Sequence, residues 1–407
     1  MKPTAMLRRF FTLLLTGVAF LPPASAAGPE TPMDRFNYVL GTQTIGASYQ
    51  FEDKPVLLET AGVIQNMGAT VLKFSLGPDY KKDRRCKPGM TSLTDLASHE
   101  PAYRAVLDMP FAHFVLWTNT FSHNPWQDGL SPQEADREYR EVYEFATHLL
   151  KTYRLSGKTF YLGHWEGDGM LRHTVSKEDD ARVTPEKVAG MIAWLNVRQQ
   201  AVDDAKRDTP PTGMAVWHYT EVNHVVLAMD QNRPALVNQV LPHVPVDFVS
   251  YSAYDTTNRT EPQKIRAALD FIEARLAPKP PISGKRVFIG EYGFPALLGK
   301  NLKPQTPETT NEKSLVVMQT GIQWGCPLVL YWELYNNEVG PGGEQIGYWM
   351  IDSTGTKMPV YHTHQRYYAW ARQFVSDTFQ KTGAVPDDST FRTAAAAFLE
   401  TLRLRTP

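Results

Sequence analysis

Cysteine is scarce, with two in 407 residues. Two thiols cannot staple a small scaffold, and the spacing of Cys86 and Cys326 matches no zinc-ligand pattern. Excess charge is absent as well. Lys and Arg number 42 against 43 Asp and Glu, a formal −1, which gives no electrostatic reason to expect a nucleic-acid or anionic-membrane partner. No segment approaches the roughly 20 apolar residues needed to cross a bilayer as a helix. No Gly-rich phosphate fingerprint follows the first apolar run, and no composition break or long linker divides the chain after its first 26 residues.

Those 26 residues are a sequence of a different kind. Lys2, Arg8 and Arg9 precede an apolar run from Phe10 to Leu21, and Ala24-Ser25-Ala26 offers small residues for cleavage. This is the three-part layout of a secretory signal, so the protein is expected to be exported, to the periplasm or beyond, with no membrane association after processing. Cleavage removes three cations and no acids, leaving a mature charge of −4. Residues 27–407 are then expected to form one domain.

Hydrophobic residues make up 42% and charged residues 21%, enough for a large packed core. Eight short runs rich in β-branched and aromatic residues read as buried parallel strands. They are Tyr38–Gly41, Ala69–Phe74, Phe111–Trp117, Thr159–Trp165, Gly213–His218, Val246–Tyr251, Arg286–Glu291 and Pro327–Trp332. Helical stretches lie between them. Ser131–Leu150 opens with an N-cap followed by proline, and Thr184–Lys206 opens in the same way. Glu261–Leu276 and Thr309–Trp324 are further helices, and two more close the chain near His362–Phe379 and Phe391–Leu402. Eight strand-helix units of about 40 residues predict a (β/α)8 TIM barrel with a C-terminal helical extension. A doubly wound open sheet is the alternative. On the barrel layout Cys86 and Cys326 fall at opposite faces, so no disulfide is expected.

Barrels of this kind build their sites at the C-terminal strand ends. Strand four ends in His164-Trp165-Glu166-Gly167-Asp168, and strand seven in Gly290-Glu291-Tyr292-Gly293. A side-chain period of two puts His164 and Glu166 on the face of Phe160 and Leu162, and Glu291 on the face of Val287 and Ile289. Both carboxylates are thereby expected to point inward over the barrel mouth. Two convergent carboxylates suit glycoside hydrolysis.

With these residues the chain resembles the retaining glycoside hydrolases of clan A, the cellulase-like barrels. The resemblance implies Glu166 as acid/base and Glu291 as nucleophile, with Gly290-Glu291-Tyr292-Gly293 matching the nucleophile motif. It carries onto Tyr254 a hydrogen bond to the nucleophile, and onto Trp332 the floor of the sugar subsite. It also implies a carbohydrate substrate and neither cofactor nor metal. His164, Trp165, His218, Tyr219 and Asn119 are candidate sugar contacts, as are Glu333 and Asn336. Glu166 is expected to hold its proton through burial beside Trp165 and the charge of Glu291. Three positions depart from the pattern: Trp165 where the family places Asn, Lys73 for an Arg near strand two, and Ser252 for a His two residues before Tyr254. Two other readings stay open. One is a non-catalytic glycan-binding barrel; the other is a metal-dependent barrel hydrolase using His164, Glu166 and Asp168 with His218 and His113.

Overall fold

The computed structural model describes residues 32–122, 126–174, 179–258, 260–280, 282–296, 305–340 and 342–404. The signal-like segment 1–26 lies outside the described residues. Eight parallel strands close into a barrel in sequence order. They are β1 Leu40–Thr44, β2 Val71–Leu76, β3 His113–Thr118, β4 Thr159–Gly163, β5 Ala215–Val222, β6 Phe248–Ser252, β7 Val287–Tyr292 and β8 Val329–Tyr331. The fold is therefore the closed (β/α)8 barrel and not the open sheet.

Helix α1 (Val56–Met67) links β1 to β2, and α2 (Leu93–His99) and α3 (Pro101–Asp108) lead into β3. Then come α4 (Pro132–Thr152) before β4, and α5 (Gly167–Arg172) and α6 (Pro185–Asp208) before β5. Helices α7 (Val225–Gln231) and α8 (Leu236–Gln239) precede β6; α9 (Tyr254–Thr257) and α10 (Pro262–Glu273) precede β7. Helix α11 (Pro307–Trp324) precedes β8, and α12 (Pro359–Thr382) and α13 (Asp388–Arg403) close the chain. The expected starts of α4 and α6 are built as their sequences suggest. Ser131 and Glu134 form a reciprocal capping box, and Thr184 caps the N–H of Lys187, each satisfying a backbone donor that has no intrahelical partner.

Strand side chains alternate between two cores. Val71, Val115, Trp117, Tyr161, Tyr219, Phe248, Phe288, Leu328, Leu330 and Trp332 fill the barrel. Phe74, Phe114, Leu116, Phe160, Leu162, Val249 and Ile289 face the surrounding helices. Tyr219 fits because Gly163 stands beside it, where a Cβ would come within 2.3 Å of its ring. Cys86 and Cys326 are buried free thiols, each pushed up to about 12 by burial. Among the described residues no helix is long and apolar enough to cross a membrane.

Candidate active site

The alternation corrects the expected facing of strands four and seven. Phe160, Leu162, Val287 and Ile289 point to the helices, while Tyr161 and Phe288 point inward. A regular continuation would turn Glu166 and Glu291 away from the mouth. Two local breaks bring them back. After Gly163 strand pairing ends, and Glu166 turns the chain into α5 with φ 1° and ψ 86°. On β7 the register with β6 and β8 shifts at Gly290 and Glu291. Gly290 faces inward, where a Cβ would lie 1.8 Å from Ser250 Oγ, and Glu291 faces inward as well. A bulge of this kind re-aims one side chain without undoing the sheet.

Both carboxylates line a cavity of about 500 Å³, together with Trp117, Trp165, Ser252, Tyr254, Trp332 and Tyr348. Ser252 Oγ lies 3.1 Å from Glu166 Oε1 and 3.4 Å from Glu291 Oε2, so these two oxygens are at most 6.5 Å apart. Burial, then the charge of Glu221, pushes the Glu166 carboxyl up to about 7. The charge that matters after burial is thus that of Glu221, not of Glu291, while Trp165, 40% exposed, lines the cavity beside Glu166. Burial also raises the Glu291 carboxyl, but the Lys73 ammonium opposes it at 2.8 Å. Two carboxyls sharing a site titrate as a pair, and within this pair the Lys73 ammonium stabilises the ionised form of Glu291.

Lys73 and Glu221 carry a bracket between the two acids. Lys73, fully buried on β2, donates to Glu291 Oε1, to Glu221 Oε2 at 3.1 Å and to the Gly290 carbonyl at 3.1 Å. Its ammonium also lies 4.6 Å from the centre of the Trp117 ring. Glu221 accepts from Ser250 Oγ at 2.7 Å and from the Glu166 backbone N–H at 2.9 Å. Sequence reasoning missed Glu221 because it ended strand five at His218. The strand runs on to Val222, and the inward phase of Tyr219 passes to Glu221. The signal was present in Tyr219-Thr220-Glu221-Val222, whose alternation continues the strand through polar residues.

Several expected sugar contacts lie elsewhere. His164 points to the helices, with its ring nitrogens 2.8 Å from Thr220 Oγ1 and from the Trp165 carbonyl oxygen. His218 faces Gln199 of α6 at 3.1 Å, and Tyr219 is buried inside the barrel. Asn119 sits outside the cavity, its amide donating to Ser75 Oγ at 3.4 Å. Glu333 is buried and accepts from the Ile45 N–H at 2.9 Å; Asn336 ties the loop after β8 through Gly347 and Tyr348 N–H. Tyr254 lines the cavity, but among the described residues Glu291 takes its side-chain hydrogen bonds from Lys73 and Ser252, not from Tyr254. Trp332 closes the cavity floor beside Trp117, its indole N–H donating to Glu338 at 3.0 Å.

The residues of the metal alternative do not converge. His113 starts β3, at the opposite end of the barrel from the mouth. His164 and His218 face the helices, and Asp168 is occupied by the N–H groups of Asn223, His224 and Leu236 and by Arg172. Asp168 thereby ties the loop after β4 to the loop after β5. Among the described residues no group of three His, Cys, Asp or Glu side chains is placed to hold an ion.

No known family profile matches the chain, and no curated protein matches it in sequence. Solved structures do match in shape. The exo-β-1,4-mannosidase Op5Man5 from Opitutaceae bacterium strain TAV5 superposes with a TM-score of 0.51 at 14% identity, over 82% of this chain and 59% of its own. This chain thus spans less than two thirds of that mannosidase. A variant of the GH5_18 protein from Streptomyces cattleya, solved with Manβ1-4GlcNAc, gives 0.53 at 14% identity, over 81% of this chain and 80% of its own. A family 39 glycoside hydrolase from Bacteroides cellulosilyticus WH2 gives 0.50 at 11% identity, over 84% and 66%. At such identities the likeness is one of architecture: the chain has the eight-stranded barrel seen in clan A glycoside hydrolases.

Proposed function

We propose that the protein is an exported glycoside hydrolase that cleaves a β-glycosidic bond with retention of anomeric configuration. The observation that carries this reading is the single Ser252 hydroxyl between Glu166 and Glu291 in an aromatic-walled cavity. Their bounded separation favours the close spacing of retaining pairs, about 5–5.5 Å, over the 6.5–9.5 Å of inverting ones. The barrel shared with glycoside hydrolases supports the same class, and the signal-like first 26 residues support export.

In this mechanism the sugar ring rests against Trp332, and Glu291, kept anionic by Lys73, attacks the anomeric carbon. Glu166 gives its proton to the departing glycosidic oxygen. Glu166, now the carboxylate, takes a proton from the water that opens the glycosyl-enzyme ester, and Glu291 is released. Proton NMR of the first-formed product from aryl β-glycosides tests the stereochemistry; an α-anomer as first product overturns retention. Glu166→Ala is expected to slow hydrolysis of poor leaving groups by about 10²–10⁴-fold, while dinitrophenyl glycosides, which leave without a proton, lose far less. Equal loss on both removes the acid role.

The pH dependence has a definite sign. Glu166 must carry its proton in the free enzyme, so kcat/KM should fall as pH rises through about 7, and Glu166→Gln should abolish that alkaline limb. A limb unmoved by the substitution assigns it to another group.

A further inference from the structure

A second cavity, of about 590 Å³, adjoins the catalytic one. Ile45 and Asn337 line both, and the Asn337 amide donates to the Ile45 carbonyl at 2.7 Å, so one hydrogen-bonded pair forms the partition. Ser75, near the end of β2, lines the second cavity and accepts a hydrogen bond from the Asn119 amide. The two cavities differ in charge. Apart from His224, the ionisable carboxyl and amino side chains lining the catalytic cavity are all acids: Glu166, Asp255, Glu291 and Glu338. The second cavity is lined by three cations, Lys82, Arg84 and Arg85, and by two acids, Asp79 and Asp83.

Two of the three lining cations are committed. Lys82 pairs with Asp79 at 2.9 Å, and Arg85 with Asp53 at 3.0 Å. Asp83 accepts from the N–H groups of Val56 and Arg85. Arg84 lines the cavity, is exposed, and among the described residues has no ion pair or side-chain hydrogen bond. A guanidinium left open in a concave site presents a two-donor fork that matches a carboxylate or sulfate.

We propose that this cavity binds the anionic group of an acidic glycan, a uronic acid carboxylate or a sugar sulfate, with Arg84 as its principal contact. The assignment names a substrate class for the proposed hydrolase and rests on that reading. No lysine or arginine lines the catalytic cavity to pair with an anionic ring, so the ring cleaved is neutral and the charged ring lies beyond the Asn337–Ile45 partition.

Affinity electrophoresis tests the proposal. Full-length Glu291→Ala protein, which retains bound glycan, is run in gels holding alginate, polygalacturonate, hyaluronan, chondroitin sulfate or neutral mannan. At least one polyanion is expected to retard it, more weakly as salt is added. Arg84→Glu should weaken that retardation about tenfold, the loss of one good charged contact. Lys151→Glu, the same charge change at the far end of α4, should leave it in place. Retardation by carboxylated but not sulfated polymers identifies the uronate, and the reverse identifies the sulfate. Retardation by no polyanion, or retardation equally reduced by Lys151→Glu, overturns the proposal. Binding sensitive to Arg84→Glu in a protein whose wild type hydrolyses no glycoside keeps the anion site and rejects the hydrolase.

Discussion

Glu291→Ala is expected to lose on the order of 10⁴-fold or more in turnover, as removal of a nucleophile generally does. The barrel should nevertheless remain folded. Lys73, the charge that Glu291 would abandon, keeps Glu221 at 3.1 Å and the Gly290 carbonyl at 3.1 Å, so no ammonium is left buried alone. Near-unchanged circular dichroism together with lost turnover is the expected pair of results. Azide, small enough for the vacated space, should restore part of the rate with a dinitrophenyl substrate and give a glycosyl azide of inverted configuration. Each part follows from attack on the anomeric carbon at the position of the missing carboxylate. Turnover within a few-fold of the wild type would remove Glu291 from the mechanism.

The second large effect concerns stability. Lys73→Met keeps the length of the side chain and deletes the charge that Glu221 and Glu291 face in a fully buried place. Breaking a buried pair from one side costs about 3–5 kcal/mol, because the remaining charge has no compensation. In a chain of this size that is a fall in Tm on the order of 5 °C. The penalty has a pH signature. Without Lys73 the buried Glu291 carboxyl binds its proton more tightly in the folded state than in the unfolded chain. The folded state then gains from protonation, so the loss is largest above neutrality and shrinks as pH falls toward 4–5. Melting curves of both proteins at pH 8 and pH 5 measure it. Equal Tm at pH 8 would mean that Lys73 is not the counter-charge of these acids.

Much of the fold was legible because its determinants are local. The eight apolar runs and the caps at Ser131 and Thr184 are short-range signals, and each lies where the structure places a strand or a helix start. Helices α1 to α3 were passed over; α2 and α3 are short, and their hydrophobic faces acquire meaning only against the barrel. At the site, Glu166 and Glu291 were found for an incomplete reason. Period-two counting set them on the face of Phe160, Leu162, Val287 and Ile289, which is the helix-facing side. The end of strand pairing after Gly163 and the bulge at Gly290 reverse that facing, and neither is encoded in periodicity. The same counting drew His164 toward the mouth, with no break to bring it there. Glu221 was hidden by its polar neighbours, and Ser252 and Lys73, noted only as departures from a family pattern, turn out to be the groups that touch the acids.

The bracket formed by Lys73, Glu221, Ser252 and the two acids draws on β2, β4, β5, β6 and β7. No contiguous stretch of chain contains enough of it to place two carboxylates across one hydroxyl. During folding, the geometry of the site therefore comes into being only when the sheet has curled far enough to bring β2 within reach of β7. A half-closed intermediate with native helices would expose three acids to water without the counter-ion. The chain thus acquires its chemistry in the same cooperative event that seals its interior, and partially folded copies are chemically silent.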